Sequence, residues 1–301
     1  EKLAAGEVLI KARASLVSAG TELSIFTRTH RGFDVPGGMP WAQYPFTPGY
    51  AGVGEIVASA DTQFPVGQRV FHRGPHGTFV KVKSSTLVPV PDSLKDEHAP
   101  FLSLLQISMT APYLAPADPG TQVVVIGMGI VGNLAAQLYA QTGARVAGAD
   151  LSQSRLERAK NCGIRPFHVG TKPLQEWVKE LGERGAEIVV EAIGNSRTIG
   201  EALKAVALRG KVVLLGSPRT TMEIDPYFDI HRKGISVIGA HAMFFDGNQK
   251  LTPVLLEWLD TQKVKVDPLI TQRIPLAHAL KAYEGLRDQP DEFVGVVLTY
   301  S

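Results

Sequence analysis

The sequence predicts an α/β chain of two domains: a barrel-like β domain built from both chain ends, and a doubly wound parallel sheet between them. Three observations carry this. Short strand-like runs punctuated by Pro and Gly fill the first 112 residues, strands alternate with helices up to residue 243, and a strand, glycine turn, helix, strand and acid follow one another at the start of that alternation. At 301 residues the chain exceeds one ordinary core and suits two.

The third observation organises the rest. In VVVIGMGIVGNLAAQLYAQTGARVAGAD, Val123 to Asp150, an apolar strand (Gln122 to Ile126) runs into Gly127, Gly129 and Gly132, then a helix with Ile130, Leu134 and Leu138 on one face. A second strand follows, closed by Asp150. A bare GxGxxG is a weak motif, but one that follows a strand, opens a helix and has an acid about 20 residues on is the signature of a dinucleotide site. Gly127 permits the tight turn, Gly129 lets backbone approach a pyrophosphate, and Gly132 lets helix and strand pack closely. The N–H groups of Met128, Ile130 and Val131 lie along the same anion-binding helix start. Asp150 selects NAD, because a carboxylate accepts from the ribose hydroxyls and repels the 2′-phosphate of NADP. Leu151 and Arg155 follow as secondary adenosine contacts.

In chain order, strands are predicted over Glu7 to Ala14, Gly52 to Ser59, Gln68 to His72, Thr78 to Lys83 and Leu87 to Pro89. Pro65-Val66-Gly67 and Arg73-Gly74-Pro75 supply turns. The long stretch Arg28 to Pro48 carries His30, Phe33, Trp41, Tyr44 and Phe46; a loop of that length with aromatics suits a substrate-side wall. A helix over Ser103 to Leu114 leads into the alternating segment. There, helices over Gln153 to Lys160, after Pro173 and over Thr198 to Ala207 separate strands at Arg145 to Ala149, Phe167, Ile188 to Glu191, Lys211 to Leu215 and Ile235 to Ile238. Six parallel strands complete a dinucleotide-binding sheet, whose ligands lie at the strand carboxyl ends. That places Ile193, Gly194, Leu215, Gly216 and Ser217 on the nicotinamide side, unless those glycines are plain turn residues. Helices over Leu251 to Asp260 and Ala277 to Arg287, with a Pro-punctuated segment between them, precede a last strand, Phe293 to Leu298, for which the amino-terminal β domain is the host. The domains expected are 1–112, 113–243 and a return over 244–301.

Composition excludes several classes. A net charge of +2 gives no basic stripe for nucleic acid, and no apolar run is long enough to span a membrane. The start of the sequence shows no secretion signal, so a cytoplasmic location is the default. One cysteine, Cys162, rules out a disulfide framework and reads as a small buried hydrophobe. The eight histidines show no ligand-like spacing and are expected on the surface or in loops, His76 in a turn.

With GEVLIKARASLVSAGTEL, PFTPGYAGVGEIV, VGQRV, GMGIVG, RGKVVLLG and DPLITQRIPLAHALKAYEGL in view, the chain resembles the medium-chain dehydrogenase/reductase superfamily over essentially its whole length. The resemblance implies a GroES-like β-barrel catalytic domain, a Rossmann domain, and a homodimer or homotetramer paired through the Ile235 to Ile238 strand. The strands that usually precede GEVLIK in that family are absent from this sequence.

Zinc enzymes of the family carry CGTD and GHE where this chain reads Ala19-Gly20-Thr21-Glu22 and Gly49-Tyr50-Ala51; the third ligand position falls near Ser103. Alanine, tyrosine and serine are poor zinc donors, so the expectation is no metal. A positioned hydroxyl must then hydrogen-bond the reacting oxygen. Tyr50 is the candidate acid or base, Thr21 its relay and Glu22 a supporting partner; the alternative is that Tyr50 only fills the space a metal leaves. The leading expectation is an NAD-preferring oxidoreductase acting on a hydroxyl/carbonyl pair of a small molecule. An NADPH-dependent quinone or enone reductase and a non-catalytic dinucleotide sensor are its rivals.

Overall fold

The computed structural model describes residues 2–182, 185–244 and 247–300. It forms two compact units, Glu1–Leu104 with Thr252–Ser301, and Leu105–Leu251. The divisions fall inside helices, at 104/105 and 251/252, where the sequence reading set them at 112/113 and 243/244. A helix keeps its backbone ladder whichever core its side chains join, so a boundary need not coincide with a loop.

The chain opens with β1 (Glu7–Leu16), α1 (Thr21–Phe26), β2 (Gly52–Ser59), β3 (Arg69–His72), β4 (Phe79–Lys83), β5 (Val88–Pro89) and α2 (Phe101–Leu114). Next come β6 (Gln122–Ile126), α3 (Ile130–Ala140), β7 (Arg145–Asp150), α4 (Gln153–Asn161), β8 (Arg165–His168), α5 (Leu174–Trp177), β9 (Ala186–Glu191), α6 (Ser196–Ala205), β10 (Val206–Leu214) and β11 (Ser236–Gly239). The return is α7 (Asn248–Asp260), β12 (Ile270–Pro275), α8 (Ala279–Asp288) and β13 (Gly295–Thr299).

The first unit is a seven-stranded sheet in the order β12-β13-β1-β2-β3-β5, with β4 also paired to β1. Central strand β1 alternates Val8, Ile10, Ala12 and Ala14 inward with exposed Lys11 and Arg13 outward, the period-two pattern of a half-buried strand. Register shifts after Leu9 and Ala12 mark bulges in the ladder to β2, while β1 also pairs with β4 along Glu7–Lys11. As expected, the terminal strand β13 joins β1, antiparallel through Ala14↔Thr299.

The second unit is a parallel six-stranded sheet in the order β11-β10-β9-β6-β7-β8. Every residue of β6 is buried, because helices cover both faces: Val123 and Val125 pack into one core, Val124 and Ile126 into the other. The strand order reverses between β6 and β9, which lie side by side.

Three elements differ from the sequence reading. The helix α1 is unforeseen, since six residues carry too little periodicity to register. The Pro-punctuated segment contains β12, parallel to β13, where two prolines masked a strand. The helix expected to Ala207 stops at Ala205, and β10 starts at Val206, bulging past Arg209 at φ 60°.

Candidate functional site

In the parallel-sheet unit, the glycines meet the requirements their spacing suggested. Gly127 sits at φ +95°, a conformation open to glycine at no steric cost. A Cβ on Gly132 would lie 1.8 Å from the Gly127 carbonyl oxygen, so the helix reaches the strand only without one. A Cβ on Gly129 would meet nothing within 4 Å, and this N-cap of α3 makes no side-chain hydrogen bond. The helix start therefore faces open space with backbone donors, the arrangement that receives a pyrophosphate.

Asp150 closes β7 almost fully buried, Oδ2 accepting from Met128 N–H at 2.6 Å and Oδ1 from Ser152 N–H at 2.9 Å. Two of about four acceptor sites are thus used. The Met128 N–H is consequently committed to Asp150, and the Met128 side chain packs on Gly148, where a Cβ would meet its sulfur at 2.2 Å. Met128 and Ile130 bury their side chains, Val131 is half-buried, and Leu151 is exposed. Arg155 lies in the first turn of α4, half-buried, its N–H directed to Ser152 Oγ at 3.4 Å.

The loops after β9 and β10 lie against each other. A Cβ on Gly194 (φ +86°) would meet the Ser217 carbonyl oxygen at 2.2 Å, and one on Gly216 would meet Gly194 N at 2.6 Å. Ile193 stands half-exposed beside the glycine turn, with Gly127 against its side chain; Leu215 is buried and Ser217 exposed. Sequence reasoning missed Glu191, fully buried at the end of β9. Its Oε1 accepts from the N–H groups of Ile193 and Gly194, both at 2.9 Å, and from Thr198 Oγ1 at 2.8 Å. An acid ending the apolar run IVVE was the available signal.

In the mixed-sheet unit, Tyr50 precedes β2 and Thr21 opens α1. Both line a cavity of ≈ 440 Å³ whose apolar wall includes Ile25, Trp41, Pro45 and Phe46. The 28–48 loop thus forms a wall over these two residues, as its aromatics suggested. The loop is pinned by Phe33 against Tyr44 at 5.3 Å and by the Tyr44 hydroxyl donating to Ile25 O at 2.5 Å.

The Tyr50 hydroxyl donates to Ser18 Oγ at 2.6 Å, with the Thr21 side chain as a second hydroxyl neighbour, and Thr21 N–H reaches the same Ser18 oxygen at 3.4 Å. Burial raises the Tyr50 pKa and Glu22 adds to the rise, while the Ser18 and Thr21 hydroxyls and the Arg73 charge oppose it. Glu22 is fully buried. Its Oε1 accepts from Ser18 N–H at 3.0 Å, and its Oε2 lies 2.6 Å from the Tyr283 hydroxyl, which donates, and 3.0 Å from His76 Nε2.

The histidine expectation needs correction. His76 lies in a turn, but its ring is enclosed between Glu22 and Ser15 Oγ, the latter at 2.7 Å from Nδ1. His72 is buried on β3, its pKa pushed down to about 4 by burial and by neighbouring His76. His98 is buried, its Nε2 2.8 Å from Asp267. Single-sequence spacing cannot reveal partners that tertiary folding brings from 54 or 169 residues away. Cys162 is buried, as expected.

The three positions compared with zinc ligands carry Ala19, Tyr50 and Ser103. Ala19 offers a methyl group and Tyr50 a phenol engaged with Ser18, while Ser103 Oγ lies 3.3 Å from the Arg73 guanidinium, which donates to it. Glu97, His98 and Asp267 also bring possible ligand atoms within 4.8 Å of one another. Arg273 and Lys95 occupy those two carboxylates, making the group an ion-pair network. Among the described residues no helix is long and apolar enough to cross a membrane.

A family model described as zinc-binding dehydrogenase matches residues 131–261. An uncharacterised zinc-type alcohol dehydrogenase-like protein of Haemophilus influenzae is 28% identical over 214 residues, 70% of this chain and 60% of the relative. L-threonine 3-dehydrogenase of Yersinia pestis is 26% identical over 230 residues, 74% of this chain and 64% of the relative. The matches thus span less than two thirds of these relatives' own length. The crystal structure of galactitol-1-phosphate dehydrogenase from Escherichia coli superposes with a TM-score of 0.83 at 20% identity, covering 99% of this chain and 94% of that one, and shares the two-domain α/β fold.

Proposed function

We propose that this chain, which belongs to the medium-chain dehydrogenase/reductase superfamily, is an NAD(H)-dependent oxidoreductase that interconverts a hydroxyl and a carbonyl without zinc. Asp150 carries the cofactor reading: a buried carboxylate at the end of β7, held against the glycine turn by Met128 N–H, welcomes ribose hydroxyls and disfavours a 2′-phosphate. The similarity to L-threonine 3-dehydrogenase and galactitol-1-phosphate dehydrogenase supports a hydroxyl as the group oxidised.

The dinucleotide supplies or accepts the hydride when bound. The chain's own contribution is to the proton. In the reducing direction the Tyr50 hydroxyl donates its proton to the substrate oxygen as that oxygen gains charge, and the Ser18 hydroxyl, with Thr21 beside it, supports the phenolate left behind. Glu22 acts at one remove, fixing the Ser18 backbone. Ile25, Trp41 and Phe46 give the cavity beside Tyr50 an apolar wall.

Calorimetry with NADH and NADPH, followed by a screen of alcohols, polyols, aldehydes, quinones and enones, tests this reading. Tighter NADH binding with turnover on alcohols or their carbonyls is expected. Tighter NADPH binding with quinone or enone turnover would favour the reductase reading, and binding without turnover the sensor.

A homodimer is part of the same proposal. β11 is a sheet edge with Ser236, Val237 and Gly239 exposed, and an antiparallel partner strand from a second copy would satisfy its open backbone groups. Analytical ultracentrifugation of the protein and of Val237→Pro checks it, the variant being expected to run as a monomer.

A further inference from the structure

Arg73 follows β3 at the point where the chain leaves the sheet. The β2 and β3 register ends with Gly52 opposite His72, so Ala51 and Arg73 are the first residues past the paired strands and Tyr50 lies one residue beyond Ala51. The two segments stay together past the strands: His76 N–H donates to Pro48 O at 2.9 Å, and a Cβ on Gly49 would strike His76 N at 2.3 Å. Arg73 is thereby confined beside Tyr50. Its guanidinium sits over the Phe71 ring, 5.8 Å from the centroid, and Nη1 donates to Ser103 Oγ at 3.3 Å at the start of α2. A flat cation resting on an aromatic face and tethered by a hydroxyl is a pre-oriented charge. Arg73 is exposed by surface area, although partial burial of its side chain lowers its pKa.

We propose that Arg73 is a positioning residue for Tyr50, the fixed positive charge against which the phenol releases and regains its proton during turnover. This deepens the dehydrogenase reading and rests on Tyr50 being its acid or base. The charged neighbours of the phenol act in opposite senses: Glu22 of α1 disfavours the phenolate and Arg73 favours it, with the Ser18 and Thr21 hydroxyls on the side of Arg73. No metal enters the step. The proton passes from the phenol to the substrate oxygen in reduction and back in oxidation, and the guanidinium stays protonated throughout.

Two measurements on the full chain test the proposal, one independent of turnover. Near-ultraviolet difference absorbance between the protein and Tyr50→Phe isolates the ionisation of this one phenol among seven tyrosines. Repeating that difference in an Arg73→Gln background is expected to move the midpoint to higher pH by about one unit or more. Arg73→Lys, which keeps the charge, is expected to return it most of the way. An unmoved midpoint in Arg73→Gln overturns the proposal even if the protein proves an active dehydrogenase. In kinetics, Arg73→Gln is expected to lower kcat for alcohol oxidation by up to about 10-fold, the equivalent of one pKa unit, and to displace its alkaline pH profile upward, with NADH affinity unchanged. A wild-type pH profile in that variant also overturns it. Absence of any turnover in the parent protein would refute the dehydrogenase reading and, with it, the catalytic use proposed for Arg73, whatever the phenol midpoint shows.

Discussion

Asp150 accepts the Met128 N–H at 2.6 Å, so the acid that closes β7 is bonded to the glycine turn that follows β6. One carboxylate thereby fixes the turn and presents its remaining acceptor sites beside it. Replacing Asp150 with Ala removes both functions: NADH affinity is expected to fall about 10-fold to 100-fold, the loss of one or two charge-assisted hydrogen bonds. The preference for NADH over NADPH should shrink with it. Calorimetric titration with each dinucleotide checks this, and an unchanged ratio of affinities would refute the assignment of cofactor choice to Asp150.

Tyr50→Phe preserves the ring that lines the cavity and deletes the hydroxyl bonded to Ser18. Turnover is expected to drop by roughly 10²-fold or more with NADH binding intact. Steady-state kinetics beside cofactor titration separates the two effects. Turnover equal to the parent's would leave Tyr50 as a space-filling residue.

Tyr283 donates to the fully buried Glu22 carboxylate at 2.6 Å. Tyr283→Phe leaves Glu22 with Ser18 N–H and His76 as its partners. A cost of about 1.5–3 kcal/mol is expected, that of a hydrogen bond to a charged group. Denaturant unfolding reads it directly, and an unaltered midpoint would show that the bond adds no net stability.

His72 gives a pH dependence. Its folded pKa of about 4 lies below its unfolded value of 6.5, so between these limits the unfolded chain binds the extra proton. Stability is fully present above the unfolded value and is lost as pH falls through the window, by up to about 3 kcal/mol. The melting temperature is expected to decline from pH 6.5 toward pH 4. The decline should be shallower in His72→Asn, and equal slopes would exclude this imidazole as a source.

Much of the parallel-sheet unit was legible because its information is local. The strand Gln122–Ile126, the glycines and Asp150 lie within one short stretch, and each residue type is demanded by backbone geometry a few residues away. The mixed-sheet unit was less legible. β12 hid behind prolines, α1 was too short to show a period, and Ser18, Arg73 and His76 carried no local mark of their roles.

By itself the sequence determined the alternation of strands and helices in the parallel-sheet unit and the glycine turn after β6, since these follow from periodicity and steric need along the chain. Only the tertiary structure decided that Ser18 accepts from the Tyr50 hydroxyl, that Glu22 joins His76 and Tyr283, and that Arg73 reaches Ser103. The physical reason is range: hydrogen bonds and charges act over a few ångströms, and the chain brings residues as far as 261 positions apart within that reach only once it has folded.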